Sequence, residues 1–264
     1  MKKLVIEKSS NIYPNEFLFA RLRSRLSENY PKAGFGEIRW VHSTMNPKLF
    51  LIFYPFFIII HLNKIVSILR YKFFQKEKTD IEEVFKNTLF SDEFKKFAFK
   101  TFYPNNVKEE LTRNFDIFSN FNFKDYKNTG EVEDKLLTQI ILYLLKNTKH
   151  KVMKNFVSNY IDYLNIKQVY KILRWKLENR TLIDGGFCDK KIFLKIVDTF
   201  DMHVFYEFLN NYFKEGFKEL DIEIMDILLI ERMLNEARKY TLSNNTTGFL
   251  LYYLLYCYYL DITG

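Results

Sequence analysis

A chain of 264 residues has enough material for one large domain or for two to three small ones. Hydrophobic residues make up 48% and charged residues 27%, which excludes an intrinsically disordered protein. Only 8 Gly and 5 Pro are present, too few for the frequent turns of an all-β fold, so the composition favours helices. The net charge of +8 keeps a nucleic-acid partner in view, although the basic residues are interspersed with acidic ones.

Cysteine usage and apolar runs indicate a cytosolic protein. Cys188 and Cys257 are too few for a disulfide framework and are expected to be reduced thiols. The N-terminal MKKLVIEKSSN has no apolar core of signal-peptide length. The most apolar run, residues 49–60, contains Pro55 and is shorter than the roughly 20 residues that a membrane-spanning helix needs. We interpret this run as buried core, with an interfacial membrane role as the alternative.

Helical periodicity recurs along most of the chain. The pattern predicts a first helix over 15–29, with Phe17, Leu18, Leu22 and Leu26 on one face. It makes no firm prediction for 32–48, and it predicts a core segment and a helix over 49–75, interrupted at Pro55. Further predicted helices cover 81–102, 107–118, 131–145, 152–164, 190–200, 203–213, 222–240 and 249–260. One more predicted helix starts at Asn165 as its N-cap and ends before the Gly185-Gly186 turn.

Two stretches of the sequence are similar at a separation of 104 residues. Residues 68–73 (ILRYKF) align with 172–177 (ILRWKL), and four of the six positions are identical. Leu62 and Ile65 correspond in the same way to Ile166 and Val169. Residues 259–261 (YLD) resemble 160–162 (YID) at a separation of 99. Similar segments at a long and nearly constant period predict a molecule built from repeated helical units.

The sequence contains no recognisable pattern for catalysis. A Walker loop, paired metal ligands and a hydrolase elbow are all missing from it, and the four histidines lie far apart. We therefore expect no catalytic, cofactor-binding or metal-binding residues. Six basic residues are the candidate interface residues: Arg21, Arg23, Arg70, Lys72, Arg174 and Lys176. The last four lie near predicted helix ends, where cations also stabilise the helix dipole, so a purely structural role stays open.

Several of these residues form a pattern that resembles a known family. Asp162, Asn165-Ile166, Leu173-Arg174, Lys176 and Gly185-Gly186 resemble the D-x-x-N-I … l-R-x-K … G-G signature of the C subunit of the V/A-type rotary ATPases. That family is related to the d subunit of the eukaryotic vacuolar ATPase. Residues 19–23 (FARLR) resemble its early A-R-x-R helix, 230–234 (IERML) a later helix, and 248–261 the approach to its third repeat helix.

The resemblance implies an all-α fold of three pseudo-repeated helical units arranged as a funnel about a pseudo-threefold axis. The units would span 1–80, 81–186 and 187–264, the first compressed and the third without its last helix. Ile58 departs from the pattern, because alignment with Asp162 calls for an acid there.

The function implied by the resemblance is that of a non-catalytic rotor subunit. Its partners would be the central shaft subunits and the cytoplasmic face of the membrane rotor ring, with no nucleic acid and no small-molecule substrate. The protein would be cytoplasmic and peripheral to the membrane. The alternative that the net charge keeps open is a basic helical module that binds nucleic acid.

Overall fold

A computed structural model describes residues 3–27, 34–74, 81–100, 104–119, 129–177, 181–217, 219–241 and 245–263. Over these residues the chain is all-helical, which confirms the predicted all-α class. The helices are α1 (Asn15–Ser27), α2 (Phe35–Thr44), α3 (Pro47–Ile60), α4 (Leu62–Phe74), α5 (Ile81–Phe85), α6 (Asp92–Phe99), α7 (Pro104–Asn114), α8 (Thr129–Asn147), α9 (Lys151–Trp175), α10 (Lys190–Thr199), α11 (Met202–Phe213), α12 (Ile222–Thr241) and α13 (Thr246–Thr263). A short 3₁₀ helix, Asp116–Phe118, follows α7.

The chain divides into two compact units. The first comprises Met1–Ser24 and Phe35–Met153, and the second comprises Arg25–Gly34 and Lys154–Gly264. In the first unit α4 packs against α5, α7 and α8. In the second, α12 packs along α13, and α9 to α12 share a core that includes Val169, Phe193, Phe205 and Leu229. The division into three units at 1–80, 81–186 and 187–264 stays a prediction.

The N-terminal segment is extended and lies in the core of the first unit. Val5 and Ile6 are fully buried. The backbone N–H of Glu7 donates to the carbonyl of Leu89 at 2.8 Å, and the N–H of Ser91 donates to the carbonyl of Val5 at 2.9 Å. This segment is therefore fastened to the loop between α5 and α6.

The predicted interruption at Pro55 is wrong, because α3 runs through it. The side chain of Asn46 caps this helix by accepting from the N–H of Leu49 at 2.9 Å, and Pro47 occupies the first turn. A proline deprives the carbonyl four residues earlier of its donor. That residue is Leu51, whose side chain is 55% exposed, so water can reach this side of the helix. The break lies instead at His61, between α3 and α4.

Most side chains of the apolar run 49–60 are buried, which confirms its interpretation as core. Among the described residues, no single helix is both long and apolar enough to span a bilayer. Pro47–Ile60 and Leu62–Phe73 satisfy length and composition only when taken together, and the two are bent by 63° relative to each other.

The prediction of a new helix with Asn165 as its N-cap is also wrong. α9 runs without interruption from Lys151 to Trp175, and Asn165 lies buried in its middle. α9 ends in a Schellman motif: Lys176 has a left-handed φ of 51°, and the N–H of Leu177 donates to the carbonyl of Ile172 at 3.2 Å. The predicted turn at the glycine pair is confirmed, because Gly185 has φ of 102°.

The single helix predicted over 81–102 is two helices, α5 and α6, since Asn87 adopts a left-handed φ of 51° and Ser91 caps a new start. On α1, Leu18 and Leu22 are buried as predicted, whereas Phe17 is 43% exposed. The unassigned stretch 32–48 contains α2. The helix predicted over 107–118 is α7 followed by the separate 3₁₀ helix, and the other predicted helices are observed with small shifts at their ends.

The repeat extends over more of the fold than the sequence alignment covered. At the 104-residue separation, buried Leu49, Phe53 and Phe57 of α3 correspond to buried Met153, Val157 and Ile161 of α9. Four buried apolar positions of α4 correspond in the same way to buried positions in the second half of α9, whereas buried Val66 and Lys72 correspond to the less buried Tyr170 and the exposed Lys176. Five buried residues of α8 correspond to five buried residues of α12 that lie 93 positions later: Val132, Leu136, Ile140, Ile141 and Leu144 to Met225, Leu229, Met233, Leu234 and Ala237. Burial therefore recurs at these aligned positions.

Candidate functional site

Arg21 and Arg23, the first two candidate interface residues, are exposed on α1. The guanidinium of Arg21 lies over the ring of Phe17, 4.8 Å from its centroid. This contact also covers part of the Phe17 ring, which faces away from the core. Both arginines are therefore available to a partner.

Arg70 and Lys72, the second pair, are engaged within the chain. Nη1 of Arg70 donates to Oε1 of Glu133 on α8 at 3.0 Å. Lys72 is only 6% exposed, and its Nζ donates to the carbonyl of Lys100 at 2.7 Å. Burial lowers the pKa of Lys72. The structure thus gives this pair intramolecular contacts, and its role at an interface stays a prediction.

Arg174 and Lys176, the third pair, are exposed at the end of α9. Trp175 and Leu177 beside them are 56% and 38% exposed. Within the described part of the chain, neither cation has an ion-pair partner. Basic and aromatic side chains therefore form one open surface at this helix end.

Asp162, which the family resemblance singled out, forms a buried clasp. Its carboxylate is 1% exposed and accepts from the N–H groups of Phe187 and Cys188, both at 3.1 Å. A Cβ placed on Gly186 would lie 2.1 Å from Oδ1 of Asp162, so only glycine fits there. The Asp162 and Gly186 positions of the sequence signature are thus explained by one contact between α9 and the loop that follows it.

A second clasp lies one helical turn further along α9. Oδ1 of Asn165 accepts from the N–H of Ile183 at 2.8 Å, and its Nδ2 donates to the carbonyl of Ile183 at 2.8 Å. We call α3 and α4 the first copy of the repeat and α9 the second. The residue of the first copy that corresponds to Asn165 is His61, 104 positions earlier. Nε2 of His61 accepts from the N–H of Leu89 at 2.8 Å. In both copies a buried polar side chain thus binds the backbone of a later loop. This loop, called the return loop below, lies between α5 and α6 in the first copy and between α9 and α10 in the second.

The buried polar groups have shifted pKa values. Burial raises the pKa of Asp162 to about 6, although the N–H donors of Cys188 and Phe187 and the charge of Arg232 oppose the shift. Burial lowers the pKa of His61 to about 3. Burial also raises the pKa of the Cys188 thiol to about 11, so this group remains a thiol at neutral pH. At neutral pH these groups consist of a carboxylate, a neutral imidazole and a neutral thiol.

Arg232 lies near the Asp162 clasp and is fixed by Tyr212. Its guanidinium lies 3.9 Å from the centroid of the Tyr212 ring, and Nη1 donates to the Tyr212 carbonyl at 2.6 Å. The arrangement ties α11 to α12. Across the described residues, no group of three or more His, Cys, Asp or Glu side chains converges as metal ligands would.

Two cavities open in the first unit. One of about 260 Å³ is mainly apolar, and there the hydroxyl of Tyr143 donates to Oδ2 of Asp116 at 3.0 Å. The other, of about 490 Å³, has a polar lining that includes Lys8, Arg39 and Lys95. Glu7 lies beside these cations in the second cavity, and neither cavity is lined by a candidate interface residue.

Sequence reasoning missed the pairing of His61 with Asn165. The signal was present: extending the alignment back by one position from Leu62 places His61 opposite Asn165, a polar pair within an apolar pattern. A polar side chain at a buried helix position requires a hydrogen-bond partner, and the following loop is the nearest source of unpaired backbone groups.

No protein-family model matches the sequence, and no curated protein matches it either.

Proposed function

We propose that this chain is a non-catalytic rotor subunit of a V/A-type ATPase or ATP synthase. It would couple the central shaft of the soluble head to the membrane ion-translocating ring. The observation that carries the proposal is the recurrence of buried positions, between α3–α4 and α9 and between α8 and α12. A body built from repeated helical units is what the resemblance over 131–261 implies.

A third, partial copy is supported by the neighbourhood of Asp261. This residue corresponds to Asp162 at a separation of 99. A Cβ on Gly34, which has φ of 115°, would lie 3.3 Å from Oδ1 of Asp261. Asp261, exposed near the end of α13, therefore also lies beside a glycine, as the buried Asp162 in the middle of α9 lies beside Gly186. We take this as support for three pseudo-repeated units around a pseudo-threefold axis.

A coupling subunit needs stiffness and two interfaces, and no reactive group. Helix packing at crystal-like density provides stiffness. Each interface of a stable complex buries roughly 1,200–2,000 Å². The exposed cations Arg21, Arg23, Arg174 and Lys176 are the candidate contacts with the shaft or the ring at the cytoplasmic side of the membrane. The chain would act as a peripheral component that transmits rotation.

The test is reconstitution with the shaft subunits and the membrane ring of the same organism. We expect a stable ternary complex at low salt, and we expect ATP hydrolysis by the assembled head to drive ion transport only when this chain is present. Failure to bind either the shaft or the ring would overturn the proposal. A folded control is essential, so each preparation is first checked for a cooperative thermal transition.

Exposed Arg174, Trp175 and Lys176 also favour a second candidate function, binding of nucleic acid. If the chain binds nucleic acid, its affinity should fall steeply as the salt concentration rises, because binding releases counterions from the phosphates. Measuring the affinity for single-stranded and duplex oligonucleotides between about 50 and 200 mM salt, a range in which such a loss is large, decides this alternative. A flat response eliminates it.

A further inference from the structure

The two copies of the Arg-x-Lys motif differ in what they bind. In the first copy, Arg70 pairs with Glu133, the fifth residue of α8, and Lys72 binds a backbone carbonyl. The first copy therefore displays the ligands that this motif accepts. They are a carboxylate near the start of a helix and a backbone carbonyl oxygen, that of Lys100.

In the second copy the corresponding acid pairs with a different cation. The acid that corresponds to Glu133 is Asp226, the fifth residue of α12 and 93 positions later. Oδ2 of Asp226 accepts from Nζ of Lys167 at 2.7 Å. Residue 167 corresponds to position 63 of the first copy, where the neutral Asn63 cannot form this ion pair. Lys167 therefore takes the acid, and Arg174 remains unpaired among the described residues.

The apolar neighbours of the second motif are open as well. Trp175 is 56% exposed and Leu177 38%, whereas the corresponding Tyr71 and Phe73 are partly buried. Tryptophan and arginine are the side chains that contribute most often to binding energy at protein interfaces. The surface formed by residues 174–177 thus combines two exposed cations with an exposed aromatic ring.

We propose that residues 174–177 are a docking site for an acidic helical segment of another protein. A carboxylate in the first turns of that helix pairs with Arg174 as Glu133 pairs with Arg70, and the helix covers Trp175 and Leu177. The proposed rotor function also uses Arg174 and Lys176 as candidate contacts, but this inference rests only on the comparison of the two copies and stands if the rotor function fails. The intramolecular pairing in the first copy is the reason for assigning a helix with an early carboxylate as the partner.

The first copy also supplies the probe. A fluorescently labelled synthetic peptide with the sequence of residues 129–147 carries the Glu133 carboxylate at its fifth position. We expect saturable binding of this peptide to the full chain in fluorescence anisotropy. Arg174→Glu should weaken it by roughly tenfold, because reversal of a charge replaces attraction by repulsion. Lys195→Glu, which changes net charge equally at an exposed site on α10, should leave the affinity unchanged.

A charge exchange separates a direct pair from a general charge effect. A peptide carrying Glu133→Lys should bind the wild-type chain roughly tenfold more weakly and should regain affinity for the Arg174→Glu variant. The proposal is overturned by absence of binding, by binding that Arg174→Glu does not alter, or by lack of rescue. Binding that is lost in Arg70→Glu and retained in Arg174→Glu would mean that the peptide replaces α8, which also overturns it.

Tryptophan fluorescence reports on the site itself. The chain has two tryptophans, so Trp40→Phe leaves Trp175 as the sole indole. Because Trp175 is exposed, its emission should shift to shorter wavelength when the peptide covers it. A single-stranded RNA oligonucleotide is titrated in parallel. If it causes the shift and binds more tightly than the peptide in an Arg174-dependent manner, the surface recognises nucleic acid and the proposal fails.

Discussion

The return loops of the two repeat copies are held by different chemistry at corresponding positions. In the first copy the imidazole of His61 binds the N–H of Leu89, and position 58 nearby is an isoleucine. In the second copy the amide of Asn165 binds both backbone groups of Ile183. Asp162, which replaces the isoleucine, adds two more N–H bonds.

The two copies share a hydrogen bond between a buried polar side chain and the backbone of the return loop, but the residue type that forms it differs. In each copy the return loop has buried backbone groups that need hydrogen-bond partners, because unpaired buried N–H groups are costly. A histidine, an asparagine or an aspartate can provide them. The choice determines how each copy responds to acid, since His61 and Asp162 titrate and Asn165 does not.

The largest effect is expected from removing the close approach in the second copy. In Gly186→Ala the new Cβ would lie 2.1 Å from the Asp162 carboxylate, which must then leave its two N–H donors. We expect a loss of about 3 kcal/mol in the free energy of unfolding, measured by urea denaturation. Gly36→Ala is the matched control, because its Cβ would have no neighbour within 4 Å. Equal stability of the two variants would contradict the clasp.

The next effect is a pH dependence that Asp162 confers on the second copy. Burial raises its folded-state pKa to about 6, from an ordinary value of 3.8. The folded chain therefore binds this proton more tightly than the unfolded chain, so its stabilisation is complete below pH 3.8 and is lost as the pH rises to 6. Between these limits wild type should lose about 2–3 kcal/mol relative to Asp162→Asn.

Urea denaturation at a series of pH values measures this difference between the two proteins. Glu215→Gln, at an exposed carboxyl, provides the control and should parallel wild type. If Asp162→Asn also parallels wild type from about pH 4 to 6, Asp162 is not buried in the folded protein.

His61 should give the opposite slope in the first copy. Burial holds its folded-state pKa at about 3, below the ordinary 6.5. The stabilisation from this neutral imidazole is therefore complete above pH 6.5 and is lost as the pH falls toward 3. Relative to His61→Asn, wild type should lose about 2 kcal/mol between about pH 6.5 and 5.

Asparagine is the informative replacement because Asn165 performs the same task at the corresponding position. Equilibrium unfolding of both proteins across this pH range gives the difference. A His61→Asn variant that loses as much stability as wild type would show that the imidazole is not responsible.

Apolar periodicity in the sequence predicted most of the helices and the buried positions that the two similar stretches share. Leu62, Ile65, Ile166 and Val169 are all buried, as the aligned pattern indicates. Single residues that act against their propensity were harder to predict. Pro55 lies within α3 because the rest of that helix is buried on all sides but one, and packing outweighs the lost hydrogen bond.

The candidate site was predictable only in part for a similar reason. Arg70 and Arg174 occupy corresponding positions, and their sequence neighbours are almost the same. What separates a paired cation from an open one is a nearby difference, Asn63 against Lys167, together with an acid far along the chain, Glu133 against Asp226. The residues around each arginine carry no information about which distant acid will pair with it. Only the fold identifies the open copy.

The smallest effect concerns how the two copies of the motif end, and it should change sign between them. Lys176 has a left-handed φ of 51°, a conformation in which a Cβ costs about 1 kcal/mol and glycine does not. Lys176→Gly should therefore stabilise the chain by about 0.5–1 kcal/mol. The corresponding Lys72 lies inside α4, where glycine costs about 1 kcal/mol in helix propensity alone, besides the lost bond to Lys100. Thermal unfolding of the two variants should shift the midpoint upward for Lys176→Gly and downward for Lys72→Gly. Shifts of the same sign would mean that both motifs end their helices in the same conformation. The structural contrast between Arg70 and Lys72, which bind within the chain, and the exposed Arg174 and Lys176 would then be unsupported.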